Sequence, residues 1–313
     1  MTDELSAKND IDAPITERAG FVALVGAPNV GKSTLVNTLV GTKVSIVSPK
    51  VQTTRRRIIG ITIVGQTQIM FVDTPGIFKP RKRLDSAMVN AAWAGAKDAD
   101  LCLFVIDAKR GLDDRTAHIK SVLSTNQQDC FAVVNKIDLV PKAALLPIGQ
   151  KINDDADFLA TFMISAKESD GTNELLQAIA VQLPRGPWLY PEDQLTDLSN
   201  RAMAAEVTRE KIFLLLKEEL PYAVTVETEN WQENTGTGEI RIDQTIYVMR
   251  PSQKSIVLGK GGRQIKAIGQ ASRVELEEIF DARIHLFLFV KVRERWADDP
   301  ERYREMGLDF PHA

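Results

Sequence analysis

Eight consecutive residues, Gly26-Ala27-Pro28-Asn29-Val30-Gly31-Lys32-Ser33, constrain this chain more than any other stretch. They fit G-x-x-x-x-G-K-[ST], a loop that cradles phosphate groups. Glycines let the backbone wrap closely round an anion, so that amide N–H groups point inward. A helix starting at Lys32 aims its positive dipole end at the same place. Lys32 adds a mobile charge for the terminal phosphates, and the Ser33 hydroxyl is placed to hold Mg²⁺, with Thr34 next in the same turn. A glycine turn can fit the pattern by chance, but the flanks argue otherwise. Phe21–Val25 reads as a buried strand, and Leu35, Val36 and Leu39 lay an apolar stripe along the segment that follows.

The same alternation continues from Gly20 to about Leu183. Strands are expected at Phe21–Val25, Arg57–Val64, Gln68–Val72, Leu101–Ile106, Cys130–Val134 and Phe158–Ile164. Helices are expected near Lys32–Leu39, Leu84–Ala96, Asp113–Ser124, Ile148–Asp155 and Asn173–Leu183. Near-continuous apolar strands between amphipathic helices predict an α/β fold with a mostly parallel sheet covered on both faces. The second and third strands, joined at Gly65-Gln66-Thr67, predict an antiparallel hairpin at one edge. Pro184-Arg185-Gly186-Pro187-Trp188 breaks the pattern and reads as a linker. Beyond it come a helix from about Asn200 to Leu220, strands at Ala223–Thr228 and Ile240–Val248, two short helices flanking Gly259-Lys260-Gly261-Gly262, and a strand at Ile284–Val292. That order, α-β-β-α-α-β, is a small α+β domain. The expected division is a flexible tail over 1–19, an α/β domain over 20–183, a linker over 184–199 and the α+β domain over 200–313.

A length of 313 residues suits two domains, and 44% hydrophobic with 26% charged residues is ordinary for a globular protein. Cys102 and Cys130 each sit in an apolar run, which predicts buried thiols in a reducing compartment. The polar start lacks a signal-peptide core and no apolar run is long enough to span a bilayer, so the expectation is a cytoplasmic protein; a monomer is expected too. A net charge of −3 argues against an anionic partner, but its distribution does not. No acidic residue falls between Glu17 and Asp73, a gap holding the phosphate loop and Arg55-Arg56-Arg57. None falls between Asp243 and Glu275, a gap holding Arg250, Lys254, Lys260, Arg263, Lys266 and Arg273. Two positive surfaces suggest two anionic ligands.

Three later motifs choose the base. Asp73-Thr74-Pro75-Gly76 follows an apolar strand, where a carboxylate can hold Mg²⁺ through water and the Gly76 N–H can meet a γ-phosphate. Asn135-Lys136-Ile137-Asp138 follows another, and the Asp138 carboxylate can accept from guanine N1–H and N2–H₂. Adenine offers no such donor pair and would leave the carboxylate unpaired. Ser165-Ala166-Lys167 follows a third, with the Ala166 N–H in reach of guanine O6. Each motif alone is a common turn or cap. In this order, at the carboxyl ends of strands, they define a guanine nucleotide site.

Ile256-Val257-Leu258-Gly259-Lys260-Gly261-Gly262-Arg263 contains G-x-x-G between two helices. Such a loop lets a nucleic-acid backbone approach while lysines and helix N-termini face phosphates. Lys260, Arg263 and Lys266 are the candidate phosphate contacts; Ile256, Val257 and Leu258 can line a groove for bases or belong to the core. His118 and His285 read as structural or surface residues.

The stretch Gly20–Leu183 resembles the translation-factor-related GTPases, on the four motifs quoted. The resemblance implies GTP and GDP as ligands, Mg²⁺ held by Ser33, Asp73 and a switch-loop threonine, and catalysis by positioning and charge through Lys32, that threonine and Gly76. The threonine is Thr54, with Thr53 as the alternative, in Gln52-Thr53-Thr54-Arg55. Ras-like members place a glutamine after DxxG to orient water; Ile77 stands here, which implies slow turnover. Asn29 occupies the position that binds K⁺ in related GTPases. The α-β-β-α-α-β order with G-x-x-G resembles the KH domain. Together the halves resemble the Era family, the GTPase–KH proteins of small-subunit assembly. Arg209–Tyr222 is similar to that family's start of the KH domain and Trp296–Asp299 to its closing segment. The resemblance implies GTP-dependent binding of single-stranded RNA at the 3′ end of 16S rRNA in the 30S subunit, and peripheral membrane association. Ordered switch loops, with Arg55–Arg57 and Lys79, Arg81, Lys82 and Arg83 in them, would reposition the KH domain. Two alternatives are a GTPase assisting tRNA modification and an RNA-binding module with a non-hydrolysing nucleotide site.

Overall fold

The structure is a computed structural model that describes residues 16–80, 82–126, 128–154, 158–294 and 296–310. Most of the expected tail, the Arg81 position and the end of the helix expected to reach Asp155 lie outside the described residues.

The first half builds β1 (Arg18–Val25), α1 (Lys32–Val40), β2 (Ile58–Val64), β3 (Thr67–Asp73), α2 (Arg83–Lys97), β4 (Leu101–Asp107), α3 (Asp114–Thr125), β5 (Cys130–Asn135), α4 (Lys142–Asn153), β6 (Ala160–Met163) and α5 (Thr172–Gln182). The sheet order is β2-β3-β1-β4-β5-β6. Only β2 runs antiparallel, paired with β3 from Ile58↔Asp73 to Val64↔Thr67. Every residue of β3, β4 and β5 is buried, the signature of a sheet covered on both faces. Parallel pairing then brings the ends of β1, β3, β4 and β5 to one edge, so the loops after them meet.

Boundaries in this half differ from expectation most at α4, β1 and β6. Helix α4 starts at Lys142, because the helix-forming Ala143-Ala144-Leu145-Leu146 run carries it past Pro147. β1 begins at Arg18, where the sheet pairs residues expected to be tail. β6 is shorter than Phe158–Ile164.

The stretch 184–199 is not a free linker. It lies along β2: Ile61 N–H donates to Leu195 O at 2.8 Å, and Ile59 N–H donates to the Asp197 carboxylate at 2.9 Å. The Gln68 side-chain amide accepts from Leu189 and Tyr190 N–H at 2.8 and 3.0 Å and donates to Tyr190 O at 2.8 Å. An open edge strand is thereby covered.

The second half contains α6 (Asn200–Leu215), β7 (Val224–Glu233), β8 (Ile240–Val248), α7 (Pro251–Leu258), α8 (Arg263–Phe280), β9 (Ile284–Val292) and α9 (Pro300–Glu305). The sheet order is β7-β8-β9, with β8 and β9 parallel. Ile212, Val224, Ile246, Val248, Val257 and Ile268 form its core against the helices. α6 stops five residues before Leu220, and α8 runs for 18 residues rather than being short. After β9 the chain returns to the first half: Tyr303 and Leu308 pack on Ala87 and Met88 of α2, and Arg83 stacks 5.0 Å from the Phe310 ring.

Candidate nucleotide site and G-x-x-G loop

The loop between β1 and α1 can only be built with its glycines. Gly31 has φ +99°, and a Cβ there would lie 2.4 Å from Asn135 Nδ2; one on Gly26 would lie 2.5 Å from Val105 O. Asn29 also has a positive φ, 65°. Lys32 Nζ folds back to Gly26 O at 3.2 Å and Ala27 O at 3.3 Å. Burial lowers its pKa to about 8, partly offset by the charge of Asp73.

Ser33 Oγ lies 2.7 Å from Asp73 Oδ2 and 2.9 Å from Thr54 Oγ1, and Thr54 Oγ1 lies 3.4 Å from the same carboxylate oxygen. Ser45 donates to it at 2.6 Å, a contact the sequence did not signal. The other oxygen, Asp73 Oδ1, is buried and without a hydrogen-bond partner. Burial pushes this carboxyl up, against the hydrogen bonds from Ser45 and Ser33 and the Lys32 charge. Hard oxygen donors around an unsatisfied buried carboxylate fit a divalent cation such as Mg²⁺. Thr53 turns elsewhere, to Ser48 Oγ and to Lys50 O at 2.8 Å. Thr54, not Thr53, is therefore the threonine of this loop that meets Ser33 and Asp73. Gly76 closes the same end: a Cβ there would be 2.9 Å from Pro28 Cα. Thr74 donates to Leu24 O at 2.7 Å. Ile77 is 5% exposed and packs into the core, its N–H on Gly26 O at 3.0 Å.

A cavity of about 410 Å³ is lined by Asn29, Lys32, Ser33, Thr54, Gly76 and Lys136, and Asn135 braces the phosphate loop beside it. Its Nδ2 donates to Val30 O at 2.9 Å and its Oδ1 accepts from Ala166 N–H at 3.0 Å. The Ala166 N–H expected to meet guanine thus donates to Asn135 here. Asp138 is exposed and accepts from Ser165 Oγ at 2.6 Å. Lys136 lies over the phosphate loop, bonded to Asn29 O and paired at 2.8 Å with Asp107, which ends β4. Asp107 was missed, although like the three motifs it ends an apolar strand. Lys167 is exposed and pairs with Glu168.

In the second half, Gly259, Gly261 and Gly262 have φ of 70°, 61° and 77°. Lys260, Arg263 and Lys266 are exposed beside them, and so is Ile256. Leu258 is half-buried against the core. Val257 is a correction: it is fully buried among Val248, Val224 and Ile268, so it cannot meet a base.

Arg55 is a second correction. It is not part of a positive surface. It is 3% exposed, with Nη1 on Val224 O at 2.7 Å and Nη2 on Pro221 O and Tyr222 O at 3.2 and 3.1 Å. Its guanidinium faces the Phe213 and Trp296 rings at 5.6 and 5.7 Å. The loop before it is fastened to the same half. Lys43 pairs with Glu210 at 2.6 Å and with Glu275, Val47 N–H donates to Glu210 Oε1 at 2.7 Å, and Lys50 Nζ donates to Phe213 O and Leu216 O.

A phosphate loop with hard oxygen ligands beside it and an Asn-Lys-x-Asp motif at the end of a neighbouring strand, joined to a G-x-x-G α+β unit, is a P-loop GTPase carrying a KH domain. A family model described as 50S ribosome-binding GTPase matches residues 21–136, and a KH domain model matches residues 219–297. The chain belongs to the Era family of GTPases. It is 58% identical over 294 residues to the GTPase Era of Brucella suis biovar 1, covering 94% of each chain. It is 57% identical over 311 residues to that of Rhizobium meliloti, covering 99% of this chain and 98% of the relative. A crystal structure of an Aquifex aeolicus Era variant bound to GDP·AlF4⁻ matches with a TM-score of 0.88 at 40% identity, over 93% of this chain and 99% of that one. A crystal structure of Era in complex with MgGDPNP and nucleotides 1506–1542 of 16S ribosomal RNA matches with the same TM-score at 39% identity and the same coverage.

Proposed function

We propose that this GTPase is a slow switch that binds single-stranded RNA of the 16S rRNA 3′ end and serves assembly of the 30S subunit. Nucleotide chemistry falls to residues 20–183 and RNA to 200–313, with 184–199 strapped between them. One observation carries the reading: the loop that delivers Thr54 to Ser33 and Asp73 is the same loop fastened to α6 of the KH domain. The relative solved with both MgGDPNP and a 16S rRNA segment supports it.

In the reaction, Lys32 and the loop amides stabilise charge on the bridging and terminal phosphate oxygens, and the Gly76 N–H meets the γ-phosphate. Ser33, Thr54 and Asp73 would hold Mg²⁺, which neutralises phosphate charge when bound. Asp138, with Ser165, Ala166 and Lys167, selects guanine. Ile77, packed into the core, leaves water orientation to other groups, hence slow turnover. Asn29 donates through Nδ2 to Pro49 O at 2.8 Å, which puts its amide beside a switch-loop carbonyl of the kind that binds K⁺. We assign K⁺ to that place; equal GTPase rates in Na⁺ and K⁺ buffers would remove the assignment.

RNA lies on Gly259, Lys260, Gly261, Gly262, Arg263 and Lys266, with Ile256 and the edge of Leu258 towards bases. Among the described residues no helix is long and apolar enough to cross a membrane; the lipid association that the family resemblance implies is a peripheral one. The test is crosslinking to cellular RNA with GDPNP and with GDP. Sites mapping to the 16S 3′ end with GDPNP support the reading; sites unchanged by nucleotide, or elsewhere, overturn it.

A further inference from the structure

Thr54 and Arg55 are adjacent, and their side chains leave the backbone for different halves of the molecule. The Thr54 hydroxyl reaches Ser33 and Asp73, while the Arg55 guanidinium is held in the KH domain by three carbonyls and two ring faces. The Trp296 ring is itself fixed, its Nε1–H on Ala223 O at 3.1 Å. A planar fork bonded through both Nη atoms and facing two rings has a narrow choice of geometry, so it restrains the peptide before it. Lys43, Val47 and Lys50 hold the body of the loop, but Arg55 is the anchor directly beside the metal-facing hydroxyl.

We propose that Arg55 is a positioning residue for GTP hydrolysis: anchored in the KH domain, it holds the Thr54 hydroxyl at the metal. The inference rests on the assignment of Thr54 to Mg²⁺ above. The KH domain is then part of the hydrolytic machinery as well as a passenger on it. Whatever favours this docking of the KH domain favours the closed loop, and by linkage GTP favours the docking. GDP lacks the γ-phosphate on which Thr54 closes, so the anchor acts on the triphosphate state alone.

The test measures affinity of the full chain for fluorescent GDPNP and GDP in Mg²⁺, with single-turnover hydrolysis. The variants are Arg55→Gln, Arg55→Lys, Thr54→Ala and the Thr54→Ala, Arg55→Gln double. Arg55→Gln should lose about tenfold in GDPNP affinity and a similar factor in hydrolysis, with GDP affinity unchanged. Arg55→Lys, a point charge without the fork, should fall between. The double variant should be no worse than Thr54→Ala, because both remove one interaction. Unchanged GDP affinity also shows that the variants fold. Equal losses for GDP and GDPNP, no loss, or additive losses in the double variant each overturn the proposal. If Thr54→Ala itself leaves GDPNP affinity intact, the metal assignment fails instead.

Discussion

Asp138 is the residue on which the proposed choice of guanine turns. Its carboxylate is exposed and accepts from Ser165 Oγ, which leaves its outer face open to a base. Asp138→Asn should lose at least about tenfold in GTP affinity and gain xanthosine triphosphate, which presents the complementary group, in competition binding. Lys32 gives a pH dependence. Its pKa in the folded protein, about 8, lies below the value of 10.5 it has when exposed. Below pH 8 the buried charge is carried at a cost; as pH rises through 8 towards 10.5 the folded state sheds the proton first, and this cost is relieved. A bound triphosphate restores the charge. Binding of GDPNP at pH 8.5 should therefore take up a fraction of a proton, seen by calorimetry in buffers of different ionisation enthalpy, and Lys32→Met should abolish the uptake. Contiguous groups such as the phosphate loop were legible because their geometry is written in adjacent residues. Ser45 on Asp73 and Glu210 on Val47 were not, since each contact joins residues distant in the chain.

At the scale of elements, the strands of the first sheet were the most legible, because burial on both faces leaves apolar runs. β7 was read short: past Thr228 its residues are exposed or half-buried and a bulge breaks the alternation, so pairing with β8 alone extends it to Glu233. The strap on β2 was also invisible, since prolines and glycines announce a break but not what the backbone then lies against. Asp197→Ala removes the partner of the Ile59 N–H and should cost about 1 kcal/mol, measured by denaturant titration with nucleotide hydrolysis retained. In the G-x-x-G loop, a Cβ on Gly261 meets nothing within 4 Å. Gly261→Asp therefore keeps the fold, tolerates the positive φ as aspartate can, and sets a negative charge where phosphates approach. RNA binding should fall by at least tenfold (about 1.4 kcal/mol) in filter binding while GTP hydrolysis is unchanged.

At the scale of the molecule, two halves that the sequence separates are joined through both switch regions. The first switch loop is fastened to α6, and α2, which follows the second, is packed by Tyr303 and Leu308. Gln52 Nε2 connects the two by donating to Asp85 Oδ1 at 3.1 Å. The motifs gave the identity of each half. The joint was illegible because a buried arginine and an exposed one look alike in a run of three. Tyr303 is fully buried, and Tyr303→Ala should cost about 3 kcal/mol, read as a lowered melting temperature. The return of α9 to α2 also has a consequence for biosynthesis. The clasp joins Tyr303 and Leu308 to Ala87 and Met88, so it cannot close until residue 308 has left the ribosome. A nascent chain that has released the first half exposes its phosphate loop with α2 unclasped, and the clasp on α2 forms only when α9 and the residues after it land.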